Sequence, residues 1–408
     1  MSGALANREY DADARAPLDG VRVLDLSRLV AGNMLSLSLA DFGAEVIKIE
    51  RPGLGDDLRN WKVQGISTHW KVFARNKKSV ALNLRHEEGR ALLLRLVESA
   101  HVLIENYIPG TIEKMGLGPD VLHARNPGLV LVRVSGWGQT GPFRHRPGFG
   151  TLVEAMSGFA AMNGYADRPP VLPPVALADM IAGIYGAFAT LTALREVELK
   201  GGPGQIVDLT LFESIFSFFG QEALTYRLAG AVKERVGSRS NTTAPRNVYR
   251  CKDGKYVALS ASMQSMAERL FRSIGRADLV DDPRFRTNAD RVANLDEVDG
   301  IVAEYMGRHT QAENLAHFEL AGVTVGPVSD IADLLEHPYI LGREILQSFP
   351  DDEIGELPMH HVTPRLSGTP GAIRRPAPGI GEHTREILSG IGVPDAEIER
   401  FAKEGITG

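Results

Sequence analysis

The first half of the chain alternates short apolar runs with longer stretches of helical period. Val21-Arg-Val-Leu-Asp-Leu26 has the length and composition of a strand, and Arg28 to Phe42 reads as a helix stopped by Gly43. Ala44-Glu-Val-Ile-Lys-Ile-Glu50 is the next strand. A strand, a helix of that length and a second strand predict a βαβ crossover, and therefore a parallel sheet. The pattern repeats with Ser79 to Leu84, a helix from Glu87 to Ser99 and a strand from His101 to Glu105. Leu129 to Val134 is another buried strand, ended by Ser135-Gly-Trp-Gly-Gln-Thr-Gly-Pro142. Together these elements predict a doubly wound, Rossmann-like α/β domain.

Beyond this point the period lengthens. Helical patterns occupy Gly150 to Met162 and Ala178 to Val197, followed by the breaker Gly201-Gly-Pro-Gly204, a strand from Gln205 to Leu209 and a helix from Leu211 to about Leu228. Ala229 to Pro245 is polar and irregular. Tyr249 to Ser260 is strand-like around the turn Lys252-Asp-Gly254, and Met263 to Ile274 and Leu295 to Met306 are helical, which predicts a smaller α+β unit. The tail from Ala377 resumes the style of the first half and ends in a helix. The expected division is 1–224 for the first part of a large domain, 225–330 for the small domain and 331–408 for a return to the large one.

Composition sharpens this picture in a few places. Of 408 residues, 43% are hydrophobic and 24% charged, which suits a globular chain with a sizeable core. The formal net charge is -6 with both signs interspersed, so nucleic acid is not an expected partner. Cys251 is the only cysteine, and it lies in a strand leading into a turn; a structural thiol and a reducing, cytoplasmic location follow as expectations. The segment from Met1 to Tyr10 lacks the apolar core of a secretory signal. Val175 to Leu194 is long enough to span a membrane, but it is rich in Ala and Gly, follows Pro173-Pro174 and stands alone in a polar chain. It reads as a buried core helix whose one charge is Asp179, and no membrane partner is expected.

The familiar nucleotide signatures are missing. The turn after the first strand reads Asp25-Leu-Ser-Arg-Leu-Val-Ala-Gly-Asn33, whose one glycine gives a pyrophosphate no close backbone approach, so NAD and FAD are not expected. No P-loop, no Gly-x-Ser-x-Gly elbow and no metal-ligand spacing occurs. What remains is a set of basic groups just beyond the strands, namely Lys48, Arg51, Arg75, Lys77, Lys78 and Arg85, with Asn106-Tyr107 after the fourth strand. Ligands of open α/β sheets bind at that end, and phosphates with an adenine would use such cations and an aromatic face; a solvated charged rim has the same composition. Asp179 has apolar neighbours on both sides, and a buried carboxylate must be paired, hydrogen-bonded or functional. A simple N-cap at a helix start is the alternative, and the residues alone leave both open.

Further along, Phe42-Gly-Ala-Glu-Val-Ile-Lys-Ile-Glu-Arg-Pro-Gly53 with Gly55-Asp56, Asn76-Lys-Lys-Ser79 with Leu82-Asn-Leu84, Glu105-Asn-Tyr-Ile-Pro-Gly110, the Ser135–Pro142 segment, Asp282-Pro-Arg-Phe285, Gly326-Pro-Val328 and Gly381-Glu-His-Thr384 occur in a specific order and spacing. In that order they resemble the class III CoA-transferase family, which includes formyl-CoA transferase and the CaiB/BaiF proteins. The resemblance covers nearly the whole chain. It implies transfer of CoA between an acyl-CoA donor and a carboxylic acid acceptor, with coenzyme A as substrate and no permanently bound cofactor. It places the nucleophile on Asp179, which would pass through an aspartyl–acyl anhydride and an aspartyl-CoA thioester. The positions that would contact CoA are Arg28, Leu29, Ala31, Arg51, Leu82, Arg85, Asn106, Tyr107 and Lys114. An interlocked homodimer, each ring-shaped chain threaded through the other, is also implied, with the large domain built from both chain ends.

Some positions depart from the family pattern. Val30 stands where formyl-CoA transferases have a catalytic glutamine, and their Gly-rich loop of the small domain has no counterpart, so formyl-CoA and oxalate are not the expected substrates. Gly150 replaces an acidic residue that many relatives carry before the long helix. Acyl-CoA racemases of the same fold use a histidine in Gly-His-Asp; here the stretch is Gly148-Phe-Gly150, which lacks that base. A racemase and a non-catalytic CoA-binding protein are the alternative readings. Arg144, Arg146 and Arg246 are candidates to hold the distal carboxylate of a dicarboxylic acyl group.

Overall fold

The computed structural model describes residues 4–408. The chain forms two compact units. The larger comprises Ala4–Phe159, Leu172–Ala231 and Arg343–Gly408, so both ends of the chain build it. The smaller comprises Ala160–Val171 and Val232–Gly342 among the described residues.

The larger unit is organised on a six-stranded sheet of β1 (Arg22–Asp25), β2 (Glu45–Glu50), β3 (Lys77–Ala81), β4 (Val102–Glu105), β5 (Val130–Ser135) and β6 (Ile206–Thr210). Its spatial order is β3-β2-β1-β4-β5-β6, and every pairing is parallel. Direction of winding reverses between β1 and β4, which opens a crevice at their carboxyl ends. Successive strand residues point to opposite faces. Leu24, Ile47, Val80, Leu103 and Leu131 meet the helix α1 (Glu87–Val97) and the C-terminal residues Ile387, Leu388, Ile398 and Phe401 on one face. Val23, Val46, Val102, Ile104, Val130 and Val132 face the second cluster. Fully burying each such aliphatic side chain contributes about 1.5–3 kcal/mol. Capping fixes where α1 begins: the His86 side chain accepts from Glu88 N–H, and Glu87 and Glu88 lie in the first turn.

On the second face lie the helices Ala31–Ala40 and Leu177–Lys200, together with α2 (Gly150–Met156). The long helix is the one among the described residues whose length and composition would allow it to cross a membrane. Its small residues instead let the helix Ala31–Ala40 approach closely: a Cβ on Gly183 would stand 2.7 Å from Met34 Cβ, and one on Gly186 2.4 Å from Leu35 Cδ1. Residues Leu346–Asp351 and Gly355–His360 form a separate small sheet with Ala6–Asn7.

Several predicted boundaries move. The helix expected over Arg28–Phe42 starts at Ala31, because Ser27–Val30 form a turn whose Leu29 has a φ of 62°. Gly150–Met162 is interrupted after Met156, where Gly158 takes a φ of 99°. The helix from Leu211 breaks at Ser217–Phe219 into a tighter 3-10 turn. The third strand ends at Ala81; Leu82 pairs with Thr407 near the C-terminus instead.

In the smaller unit, the antiparallel strands Arg246–Arg250, Tyr256–Ser260 and Val325–Pro327 carry helices Gln264–Ser273, Leu295–Gly307 and Gln311–Leu320. Tyr249, Cys251, Val257, Leu259, Leu270, Val302, Met306 and Phe318 form its core. Burial raises the Cys251 thiol above its ordinary range, and Asn314 donates to its sulfur, both consistent with a packed thiol. The main segment of this unit is Val232–Gly342 against the expected 225–330, since the helix Gly220–Ala229 belongs to the larger unit, and Ala160–Val171 joins it from the expected first part of the large domain.

Candidate active site

A polar floor with no solvent access lies beneath the carboxyl ends of β1 and β2, with Lys77 contributed from the amino end of β3. Asp25, Lys48 and Lys77 are each fully buried, and Asp56 nearly so. Lys48 Nζ lies 3.2 Å from Asp25 and 3.0 Å from Asp56, and also donates to the Ser27 carbonyl. Lys77 donates to the Asn33 carbonyl at 3.0 Å and to its side-chain oxygen at 2.9 Å. Burial brings the Lys77 ammonium down to about 8. Burial by itself would raise Asp56, but Lys48 and the N–H groups of Leu58 and Leu29 bring it below the ordinary carboxylate range. The floor fixes the turn above it. Asp25 accepts from the N–H and hydroxyl of Ser27, Asp56 accepts from Leu29 N–H at 3.0 Å, and Asn106 exchanges hydrogen bonds with the Arg28 backbone on both sides. These bonds hold Leu29 in a left-handed conformation that a free leucine avoids.

Two adjoining clefts open above this floor, both within the larger unit. The first, of about 650 Å³, is lined by Arg28, Arg51, Leu82, Arg85 and Tyr107 among others. The second, of about 390 Å³, is lined by Arg28, Leu29, Ala31, Asn106, Tyr107, Trp137 and Asp179. Arg28 and Tyr107 belong to both, with the guanidinium 5.9 Å from the ring centre. Arg28 and Arg51 flank Asp57 at 3.3 and 2.9 Å. Thus eight of the nine positions expected to contact CoA come together along one continuous surface. Lys114 does not: it is exposed on the short helix Thr111–Lys114, whose Thr111 lines the first cleft while Lys114 lines neither.

Asp179 sits in the first turn of the long helix, now labelled α3 (Leu177–Lys200), half-buried in the lining of the second cleft. Burial raises its carboxyl to about 6, and the nearby Glu154 adds to the rise. The N–H groups of Asp179 itself and of Ala31 hold the charged form against that rise. Two helix N-termini therefore converge on this carboxylate. Gly150 leaves room for it: a Cβ at this position would stand 2.2 Å from Asp179 Oδ2. The glycine that departs from the family pattern is thus a contact of the candidate nucleophile.

Glu154 is the site residue that the sequence reading missed. It lies on α2, is 3% exposed, and accepts from Ala178 N–H at 3.0 Å. The one signal in the sequence is an acid inside the otherwise apolar stretch Thr151-Leu-Val-Glu-Ala-Met156. Arg144 and Arg146 also line the second cleft, Arg146 stacked 3.8 Å over Phe143 and Arg144 bonded to His145 at 2.9 Å. Neither has a carboxylate partner among the described residues. Arg246 opens the first strand of the smaller unit. Among the described residues no group of three or more His, Cys, Asp or Glu converges to hold a metal ion.

Arranged this way, the site offers a basic and partly aromatic cleft suited to a phosphorylated ligand, adjoining a carboxylate that has no cation among the described residues. Comparison with known proteins points to the same chemistry. The model of CoA-transferase family III matches residues 18–384. Succinyl-CoA–D-citramalate CoA-transferase of Chloroflexus aurantiacus is 39% identical over 92% of this chain and 94% of its own. Succinyl-CoA:glutarate CoA-transferase of Mus musculus is 32% identical over 98% of this chain and 92% of its own. A crystal structure of a CaiB/BaiF family protein from Brucella suis superimposes with a TM-score of 0.82 at 32% identity, covering 92% of this chain and all of the other. The chain belongs to CoA-transferase family III and is an enzyme of that class.

Proposed function

We propose that this enzyme moves CoA between two carboxylic acids with Asp179 as its covalent nucleophile. The observation that carries the reading is the position of Asp179: a half-buried carboxylate without a cationic partner among the described residues, lining a cleft that adjoins a basic one. Arg28, Arg51 and Arg85 hold the phosphates of CoA, Leu82 and Tyr107 offer apolar surface to its adenine, and Leu29, Ala31 and Asn106 line the path of the thioester arm. Lys114, one turn away on the surface, adds long-range attraction for the polyanion.

In the first step an Asp179 oxygen attacks the donor's carbonyl carbon. The C–S bond breaks, leaving an aspartyl–acyl anhydride and CoA thiolate. The thiolate then attacks the aspartyl carbonyl carbon, releasing the donor acid and forming an Asp179–CoA thioester. An acceptor carboxylate repeats the two steps in reverse and leaves as the new acyl-CoA. Each step exchanges one acyl bond for another, and no net proton is taken up. A carboxylate with a pKa near 6 is ionised at neutral pH yet more basic than an ordinary one, which suits it to attack.

The substrates we assign are dicarboxylic, such as succinyl-CoA with a dicarboxylate acceptor. Both named relatives use succinyl-CoA, and Arg144 and Arg146 present two guanidinium groups without carboxylate partners in the same cleft as Asp179. The assembly we propose is the interlocked homodimer of the family, in the cytoplasm. Supporting it, α3 leaves Ile184, Tyr185, Phe188 and Leu191 at 58%, 40%, 68% and 41% exposure, an apolar stripe of the kind that partners cover.

The test is an exchange assay between succinyl-CoA and a panel of mono- and dicarboxylic acids. Asp179→Ala is expected to lose exchange with every acceptor. Arg144→Ala combined with Arg146→Ala is expected to raise KM for dicarboxylic acceptors about tenfold, leaving monocarboxylic ones unchanged. Retained exchange in Asp179→Ala would overturn the nucleophile, and equal effects on both acceptor classes would overturn the dicarboxylate assignment.

A further inference from the structure

The unusual feature of the site is a buried carboxylate beside Asp179 with no cation to neutralise it among the described residues. Glu154 is 3% exposed, and its one hydrogen-bond donor is the Ala178 N–H, immediately before Asp179. No lysine or arginine pairs with it among the described residues. A Cβ built on Gly150 would lie 2.2 Å from Asp179 Oδ2 and 3.8 Å from Glu154 Oε1, which brings the two carboxylate oxygens within about 6 Å of each other, a range in which like charges interact strongly. Elsewhere in this unit buried carboxylates are given cations, as Asp25 and Asp56 are given Lys48. A buried charge left bare is costly, and a glutamine would accept the same N–H without that cost.

We propose that Glu154 is a positioning residue that acts through Asp179: it fixes the first turn of α3 and places a negative charge beside the nucleophile that is relieved when Asp179 becomes acylated. This inference rests on the covalent reading given above. Repulsion between the two carboxylates exists in the free enzyme. When an Asp179 oxygen bonds to the acyl carbon, the negative charge departs with the CoA thiolate, and Asp179 becomes a neutral anhydride and then a neutral thioester. The pair thus carries its unfavourable interaction in the resting state and loses it in both covalent states, which favours the loaded enzyme. Gly150 is the structural counterpart, because any side chain there would separate the two groups.

Other charges surround the cleft. Arg28, Asp57, Arg144, His145 and Arg146 line it, the helix Leu211–Phe216 packed against α3 carries Glu213, and Ala31–Ala40 carries none. Of the charged groups on these elements, Glu154 is the one that raises Asp179 electrostatically.

The experiment compares wild type, Glu154→Gln and Glu154→Ala. Glutamine keeps the size and the acceptor for Ala178 N–H and removes the charge; alanine removes both. Thermal melting at pH 7.5 first verifies that Glu154→Gln is folded. The acid limb of kcat/KM against pH is then measured, together with the fraction of enzyme loaded at equilibrium with acyl-CoA, trapped with hydroxylamine. The expected result for Glu154→Gln is an acid limb lower by about one pH unit and a loaded-to-free ratio lower by about tenfold. Glu154→Ala should show the same shift with additional loss of kcat. A Glu154→Gln enzyme that matches wild type in both readouts would reduce Glu154 to a helix cap and overturn the inference alone. No adduct on wild-type Asp179 would overturn the covalent reading, and this inference with it.

Discussion

Asp25 and Asp56 at the ends of β1 and β2 and Glu154 on α2 are buried, and Asp179 at the start of α3 is half-buried, but among the described residues only the first pair is neutralised by a cation. Asp25 and Asp56 share Lys48, with Lys77 3.7 Å from Asp25, and their remaining acceptor sites take N–H and hydroxyl donors. Asp179 and Glu154 have backbone N–H donors and no cation. The difference separates two tasks. A paired network is rigid and chemically quiet; here it holds the Ser27–Val30 turn and so aims the Ala31 N–H at Asp179. A bare carboxylate is poised to give up its charge by forming a bond. On the proposed reading, the first region builds the site and the second reacts.

Removing charges one at a time should break this comparison in opposite directions. Lys48→Met leaves Asp56 buried without its cation and Asp25 with Lys77 at 3.7 Å, and we expect about 3–5 kcal/mol of lost stability by chemical denaturation. A loss under 1 kcal/mol would mean that the floor is not maintained as an ion network. Gly150→Ala forces the Asp179 carboxylate off its position; an ångström of misplacement costs about 100-fold in kcat, with the fold intact by circular dichroism. Undiminished turnover in that variant would show that the carboxylate has freedom that the geometry denies it. The smallest effect is the reverse of the first. Because the Asp179 pKa of about 6 is above its unfolded value, the folded protein binds that proton more tightly and loses stability as pH rises through about 6. Asp179→Ala removes this slope and should be more stable than wild type at pH 7.5, by at most roughly 2 kcal/mol, while the two differ little at pH 4. A destabilised Asp179→Ala at pH 7.5 would place Asp179 among the structural carboxylates.

How much of this was legible in the sequence follows from the range of each interaction. The parallel sheet and its crevice were readable because strand and helix periods are local, and Asp179 stood out as one charge in an apolar helix. Arg28–Val30 of this turn reads as helix from the sequence, since what unwinds it is Asp56 and Asn106, far away in the chain. Beyond its being an acid in an apolar stretch, Glu154 gave no sign of its role for the same reason: its partner Ala178 is 24 residues away. Gly150 could be noted only as a departure, because the meaning of a missing side chain lies in what occupies its space. Lys114 shows the converse, a basic residue in a plausible stretch whose helix turns it away from the cleft.

On the proposed mechanism Asp179 takes the acyl group and then CoA. The most direct measurement is to mix the enzyme with succinyl-CoA, quench with hydroxylamine during turnover, and map the peptide that contains Asp179 by mass spectrometry. The account predicts a hydroxamate on Asp179, absent without donor and absent when the quench omits hydroxylamine. Active exchange with an unmodified Asp179 and the adduct on another residue would contradict it.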